Sequence, residues 1–114
     1  MMGSVLEDKS FQFAIKIVEL NSFLREDKKE FVLSKQILRS GTSIGANIAE
    51  AQYAQSKADF VTKMHISLKE ANETKYWLRL LSATKYLDHS HQSLMDDCNE
   101  LLRLLTATCK TTKQ

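Results

Sequence analysis

Gly41, Gly45 and Ala49 fall at i, i+4 and i+8 of the segment SKQILRSGTSIGANIAEA (34–51), whose isoleucines at 37, 44 and 48 keep helical spacing. An interior glycine costs a helix about 1 kcal/mol relative to alanine. A helix that keeps two of them gains something in return, and a strip without bulk lets two backbones pack closely. In lipid such a strip would suggest transmembrane pairing, but the flanks of this one are too polar. Arg39, Asn47 and Glu50 lie on one general side of the same segment. They read as groups that set the register of a bundle or a subunit seam rather than as catalysts.

Helical periodicity also governs the rest of the chain, which has no proline and only three glycines. Segment one runs from about Ser10, a candidate N-cap, to Glu26, with Phe13, Ile17, Leu20 and Leu24 in one stripe. Segment two covers about residues 29–54. Segment three starts near Ser56, where Ser56 and Asp59 resemble a capping box, and continues to about Tyr86. Its Phe60, Met64, Leu68, Ala71 and Leu78 define one face, while Ile66, Trp77 and Leu80 point almost the opposite way. A helix apolar on two sides is buried on both or meets another subunit, so Ile66, Trp77 and Leu80 are the candidate subunit interface. Segment four starts near Asp88 or Ser90 and runs to about Cys109, lined by Leu94, Cys98, Leu101, Leu102 and Leu105. Four amphipathic helices with short connections predict an all-α fold, a single domain over 1–114 built as an antiparallel up-down four-helix bundle. Residues 1–9 and 110–114 are expected to be flexible.

No apolar run approaches the roughly 18–20 residues that span a bilayer, so no membrane partner is expected. The start, MMGSVLEDKS, lacks a basic stretch followed by an apolar core, and the expected location is the cytoplasm. Cys98 and Cys109, on one helix, would stand about 16 Å apart, too far for a disulfide, and read as reduced core thiols. The net charge is +2, with the positive excess concentrated in residues 34–85, which carry eight Lys/Arg against four Asp/Glu. That excess reads first as a solvated face and second as a site for nucleic acid, with Lys57, Lys75 and Arg79 as the candidate contacts.

Catalytic and metal-binding patterns are scarce. Di-iron bundles need Glu-x-x-His pairs, and the nearest approach here is Asp88-x-x-His91 at a helix start. No Walker-type phosphate loop is present, and SGTSIGAN lies within helical periodicity. Glu50, Glu70 and Glu73 would bind a cation or act as acid and base if they converged. Ion pairing with Arg39, Lys69, Lys75 or Arg79 is the preferred reading. No catalytic residue, metal, cofactor or small-molecule substrate is therefore expected.

The run SKQILRSGTSIGANIAEA, followed by DFVTKMHISLKEANETKYWLRLL, resembles the four-helix-bundle family encoded in 23S rRNA intervening sequences. The resemblance covers roughly residues 11–87 and rests on Gln36, Arg39, Ser40, Ser43, Ile44, Asn47, Ile48, Ala49 and Glu50. Ser67, Leu68, Glu70, Ala71, Glu73 and Leu78 support it. It implies a bundle that assembles as a ring-like homopentamer, with Arg39, Ser43, Asn47, Glu50, Glu70 and Glu73 as motif and assembly residues. The family is also similar to accessory proteins of diversity-generating retroelements, which are pentameric, basic and work with a reverse transcriptase and RNA. Two departures stand out: Ala51 where many members have Gly, and no proline between the first two helices. The expected function is that of a non-enzymatic, homo-oligomeric interaction module with structured RNA or DNA as its candidate partner. The alternative is a structural or protein-partner scaffold without nucleic-acid binding.

Overall fold

The computed structural model describes residues 2–112, with side chains from Val5 onward. Its four long helices are α1 (Met2–Glu26), α2 (Leu33–Ala51), α3 (Lys57–Ala83) and α4 (Gln92–Thr112), the last preceded by a 3-10 turn at His89–His91. Hydrogen bonds and ion pairs between helices run in opposite senses along each neighbouring pair. Asn21 reaches the Ser34 carbonyl, while Gly45 lies against Ser10. Glu50 meets Lys63 and Ser40 meets Thr74 across α2 and α3. Cys98 faces Ala71, and α1 meets α4 through Lys9–Glu100 and Lys16–Asp97. The helices therefore alternate up and down around a ring in which α1 makes no close backbone approach to α3, nor α2 to α4. The bundle measures 44 × 20 × 19 Å.

Each helix buries one stripe. Leu6, Phe13, Ile17, Leu20 and Leu24 come from α1, and Ile37, Ile44 and Ile48 from α2. Met64, Ala71, Leu78 and Leu81 come from α3; Leu94, Cys98, Leu101 and Leu105 from α4. The α2–α3 contact is made with small residues and is partly polar. The buried Ser40 and Thr74 hydroxyls share a 2.9 Å hydrogen bond, and Ser67 donates to the Ile44 carbonyl at 2.8 Å. Those bonds satisfy hydroxyls that would otherwise cost free energy in a dry interior.

The glycine strip faces α1 of the same chain. A Cβ on Gly41 would lie 2.8 Å from Ile17 Cγ1, and one on Gly45 would lie 3.2 Å from Ser10 Oγ. Ala49 remains exposed. Close packing is thus the role of Gly41 and Gly45, and it is spent inside the bundle.

Helix ends differ from the sequence reading in several places. Segment 2–9, expected to be flexible, is the first part of α1 and puts Leu6 into the core with no exposure. Ser10 is consequently no N-cap: it is buried inside α1 and its hydroxyl donates to the Glu7 carbonyl. At the other end α4 extends to Thr112, beyond the expected Cys109; residues 1, 113 and 114, also expected to be flexible, lie outside the described residues. Helix α2 starts at Leu33 because a residue outside it supplies the cap. Val32 has no capping side chain, and the buried Glu30 carboxylate accepts from the backbone N–H groups of Val32 at 3.3 Å, Leu33 at 3.0 Å and Ser34 at 2.7 Å. A carboxylate there satisfies orphan donors and faces the positive end of the helix dipole. Helix α3 ends at Ala83 with Lys85 in the left-handed region at φ 68°, and the N–H groups of Lys85 and Tyr86 return to the Ser82 and Leu81 carbonyls. This is a Schellman closure without its usual glycine. Helix α3 starts as expected, with Ser56 accepting from the Asp59 N–H, and Asp88 accepts from the Ser90 N–H at the start of the 3-10 turn that leads into α4.

Candidate functional site

The expected motif residues occupy the outer edge of the α2–α3 pair. Arg39, near the middle of α2, reaches across to α3. Its Nη1 donates to Glu70 Oε1 at 3.1 Å and its Nη2 to Glu73 Oε2. Glu73 Oε2 also accepts from Trp77 Nε1 at 3.0 Å. Glu70 and Glu73 are one turn apart on one side of α3, which is why a single guanidinium spans both. The Arg39 side chain is 51% exposed, so its pairs are worth at most about 1 kcal/mol each. Their geometric role is to lock the rotation of α2 against α3 and to fix the Trp77 indole.

Ser43 and Asn47 follow Arg39 along the same edge, but each bonds within α2. Ser43 Oγ donates to the Arg39 carbonyl at 2.7 Å, and Asn47 Nδ2 to the Ser43 carbonyl at 2.9 Å. Glu50 is not brought to Glu70 and Glu73. It stands about 16 Å along α2 from Arg39 by the helical rise, and its partner is Lys63 at 2.9 Å. The three carboxylates therefore do not converge. Ion pairing holds for all three, with Lys63 as the partner the sequence reading had not named. Among the described residues no three His, Cys, Asp or Glu side chains group together in a way that could hold a metal ion.

The expected interface residues are unequal. Ile66 is exposed, while Trp77 packs against the core with its N–H spent on Glu73, and Leu80 is half-buried. Tyr76, exposed and edge-on to Trp77, joins that face. Helix α1 carries a further exposed apolar stripe, Phe11, Ile15 and Val18 at i, i+4 and i+7. The sequence reading missed it, although its own test of a helix apolar on two sides applies to Phe11, Ile15 and Val18 as well as to segment three.

Nor do the three expected nucleic-acid contacts meet. Lys57 is at the start of α3, about 33 Å along the helix from Arg79. Arg79 lines a groove with Leu87, Asp88 and His91. Lys75 lines another, between α3 and α4, with Arg103 and Lys110 and with Asn72 and Asn99. Arg103 and Lys110 were missed because residues 86–114 are acidic on balance; their i, i+7 spacing on one helix was the available signal. Among the described residues no carboxylate pairs with Lys75, Arg103 or Lys110. Among the described residues no helix is long and apolar enough to cross a membrane.

The family model for the 23S rRNA-intervening sequence protein matches residues 5–107. The chain belongs to this family. A solved structure from Bacteroides thetaiotaomicron VPI-5482, a protein of unknown function from the S23 ribosomal protein family, is 55% identical to this family member. It superposes with a TM-score of 0.94, and the match covers 96% of this chain and 99% of that one. No curated protein matches. The family match extends the resemblance seen in residues 11–87 further toward the start of α1 and into α4.

Proposed function

We propose that this member of the 23S rRNA-intervening sequence family is a non-enzymatic, self-associating helical module that holds structured RNA or DNA by its phosphate backbone. The observation that carries the reading is the α3–α4 groove. It lines up Lys75, Arg103 and Lys110 without a paired carboxylate, beside the hydrogen-bonding amides of Asn72 and Asn99. Unpaired cations on a helical groove attract phosphates whatever the base sequence, by releasing condensed counterions. Three cations make a weak site in one copy. Repeated around a ring, five copies on the resemblance to the family's pentamers, they act together through high effective concentration. The buried, reduced Cys98 and Cys109 fit a reducing cytoplasm.

The test is binding to a structured RNA and to duplex DNA across a salt series. Three phosphate contacts per copy contribute about −2.7 to the slope of log K against log salt for duplex DNA for each copy engaged, and Arg103→Ala should lower its magnitude by about 0.9 per engaged copy. No binding at low salt, or a slope that Arg103→Ala and Lys110→Ala leave unchanged, removes the nucleic-acid reading and leaves that of a protein scaffold.

A further inference from the structure

Two outward faces of the bundle are apolar, and their charges are opposite. On α1, exposed Phe11, Ile15 and Val18 are edged by Asp8 and Glu19. On α3, Ile66, Tyr76 and Leu80 share a face with Lys69 and are edged by Arg79. Among the described residues none of Asp8, Glu19, Lys69 and Arg79 has an ion-pair partner. The spacings match as well. Asp8 and Glu19 are eleven residues apart, about 16 Å of helix, and Lys69 and Arg79 are ten apart, about 15 Å. Phe11, Ile15 and Val18 lie between the two acids, and Tyr76 lies between the two bases. An isolated protein gains nothing from leaving both faces bare, because exposed apolar patches of this kind mark interaction surfaces.

We infer that the α1 face of one copy docks on the α3 face of the next. The inference rests on the self-association reading above and names its seam. Phe11 and Tyr76 are the aromatic anchors, and the Asp8/Glu19 pair meets the Lys69/Arg79 pair around them. Because the two faces are different, the contact is head-to-tail. Each copy uses one face toward each neighbour, and a chain of such contacts terminates only by closing into a ring. The arrangement leaves the α3–α4 groove to its own ligand, because Lys75, Arg103 and Lys110 are not among the docking residues.

Two full-length variants test this, each disabling one face at an exposed position: Phe11→Asp and Tyr76→Asp. Far-UV circular dichroism and thermal midpoint confirm that each is folded. The expected masses by light scattering are a wild-type oligomer and a single 13.0 kDa chain for each variant alone. An equimolar mixture of the two variants should double that mass, because the intact α3 face of one meets the intact α1 face of the other. The charge reversals Glu19→Lys and Lys69→Glu should each lower the wild-type mass, and the double variant that carries both should restore it. If either Asp variant keeps the wild-type mass, or the mixture stays monomeric, the α1–α3 seam is wrong although self-association stands. A monomeric wild type at micromolar concentration overturns both.

Discussion

Adding one methyl group at Gly41 tests the packing of the bundle at its tightest point. The Cβ of Gly41→Ala would lie 2.8 Å from Ile17 Cγ1 and 2.9 Å from Cγ2, well inside contact distance. Ile17 is fully buried and β-branched, with essentially one rotamer available in a helix, so it has little room to move aside. Overpacking of this kind costs about 1–3 kcal/mol. Replacing a helical glycine returns about 1 kcal/mol through propensity. The net expectation is a loss of about 0–2 kcal/mol, which alone is ambiguous. A double-mutant cycle separates the two effects. Ile17→Ala costs about 2–5 kcal/mol by leaving a cavity. In that background the Gly41 methyl enters vacant space, so only the propensity gain remains. The cycle should therefore show a favourable coupling of about 1–3 kcal/mol between the two substitutions. Gly45→Ala is the control, since its Cβ would sit 3.2–3.4 Å from Ser10 atoms, and it should stay within about 1 kcal/mol of wild type. Urea unfolding followed by circular dichroism, at one protein concentration and with constant m, measures all of these. If Gly41→Ala stabilises both backgrounds equally, Ile17 is not the wall that requires the glycine, and the close-packing argument fails.

Glu30→Gln removes the charge from the α2 cap and leaves one acceptor oxygen for three N–H groups, and should cost about 1–3 kcal/mol; amide exchange at residues 32–34 should accelerate, and unchanged exchange would refute the cap. Burial pushes the Cys98 thiol up to about 12, so it should resist alkylation at pH 8 until the chain unfolds. The thiol ionises more readily in the unfolded chain, so Cys98 contributes its full stability below the ordinary thiol range and loses it as pH rises toward 12. Urea midpoints from pH 8 to 10 should accordingly fall more steeply for wild type than for Cys98→Ala, and equal slopes would count against that shift.

Local pattern was enough for much of this protein. Four helices were legible because the 3.6-residue period repeats every turn, and the Ser56 and Asp88 caps because capping is a matter of three or four neighbouring residues. Arg39 was one of four basic residues that the sequence offered as partners for Glu70 and Glu73, and the packing of α2 on α3 selects it. The rest depended on groups far apart in the chain. Only the packed bundle decided that Leu6 belongs to the core, that Gly41 meets Ile17, and that Glu50 takes Lys63. Only the packed bundle brought Lys75 to Arg103 and Lys110 from a segment that is acidic on balance. Periodicity states which residues share a face of one helix. Which faces meet, and which charges then find partners or are left bare, depends on the relative rotation of four helices, and that is set by how all their side chains fill one interior.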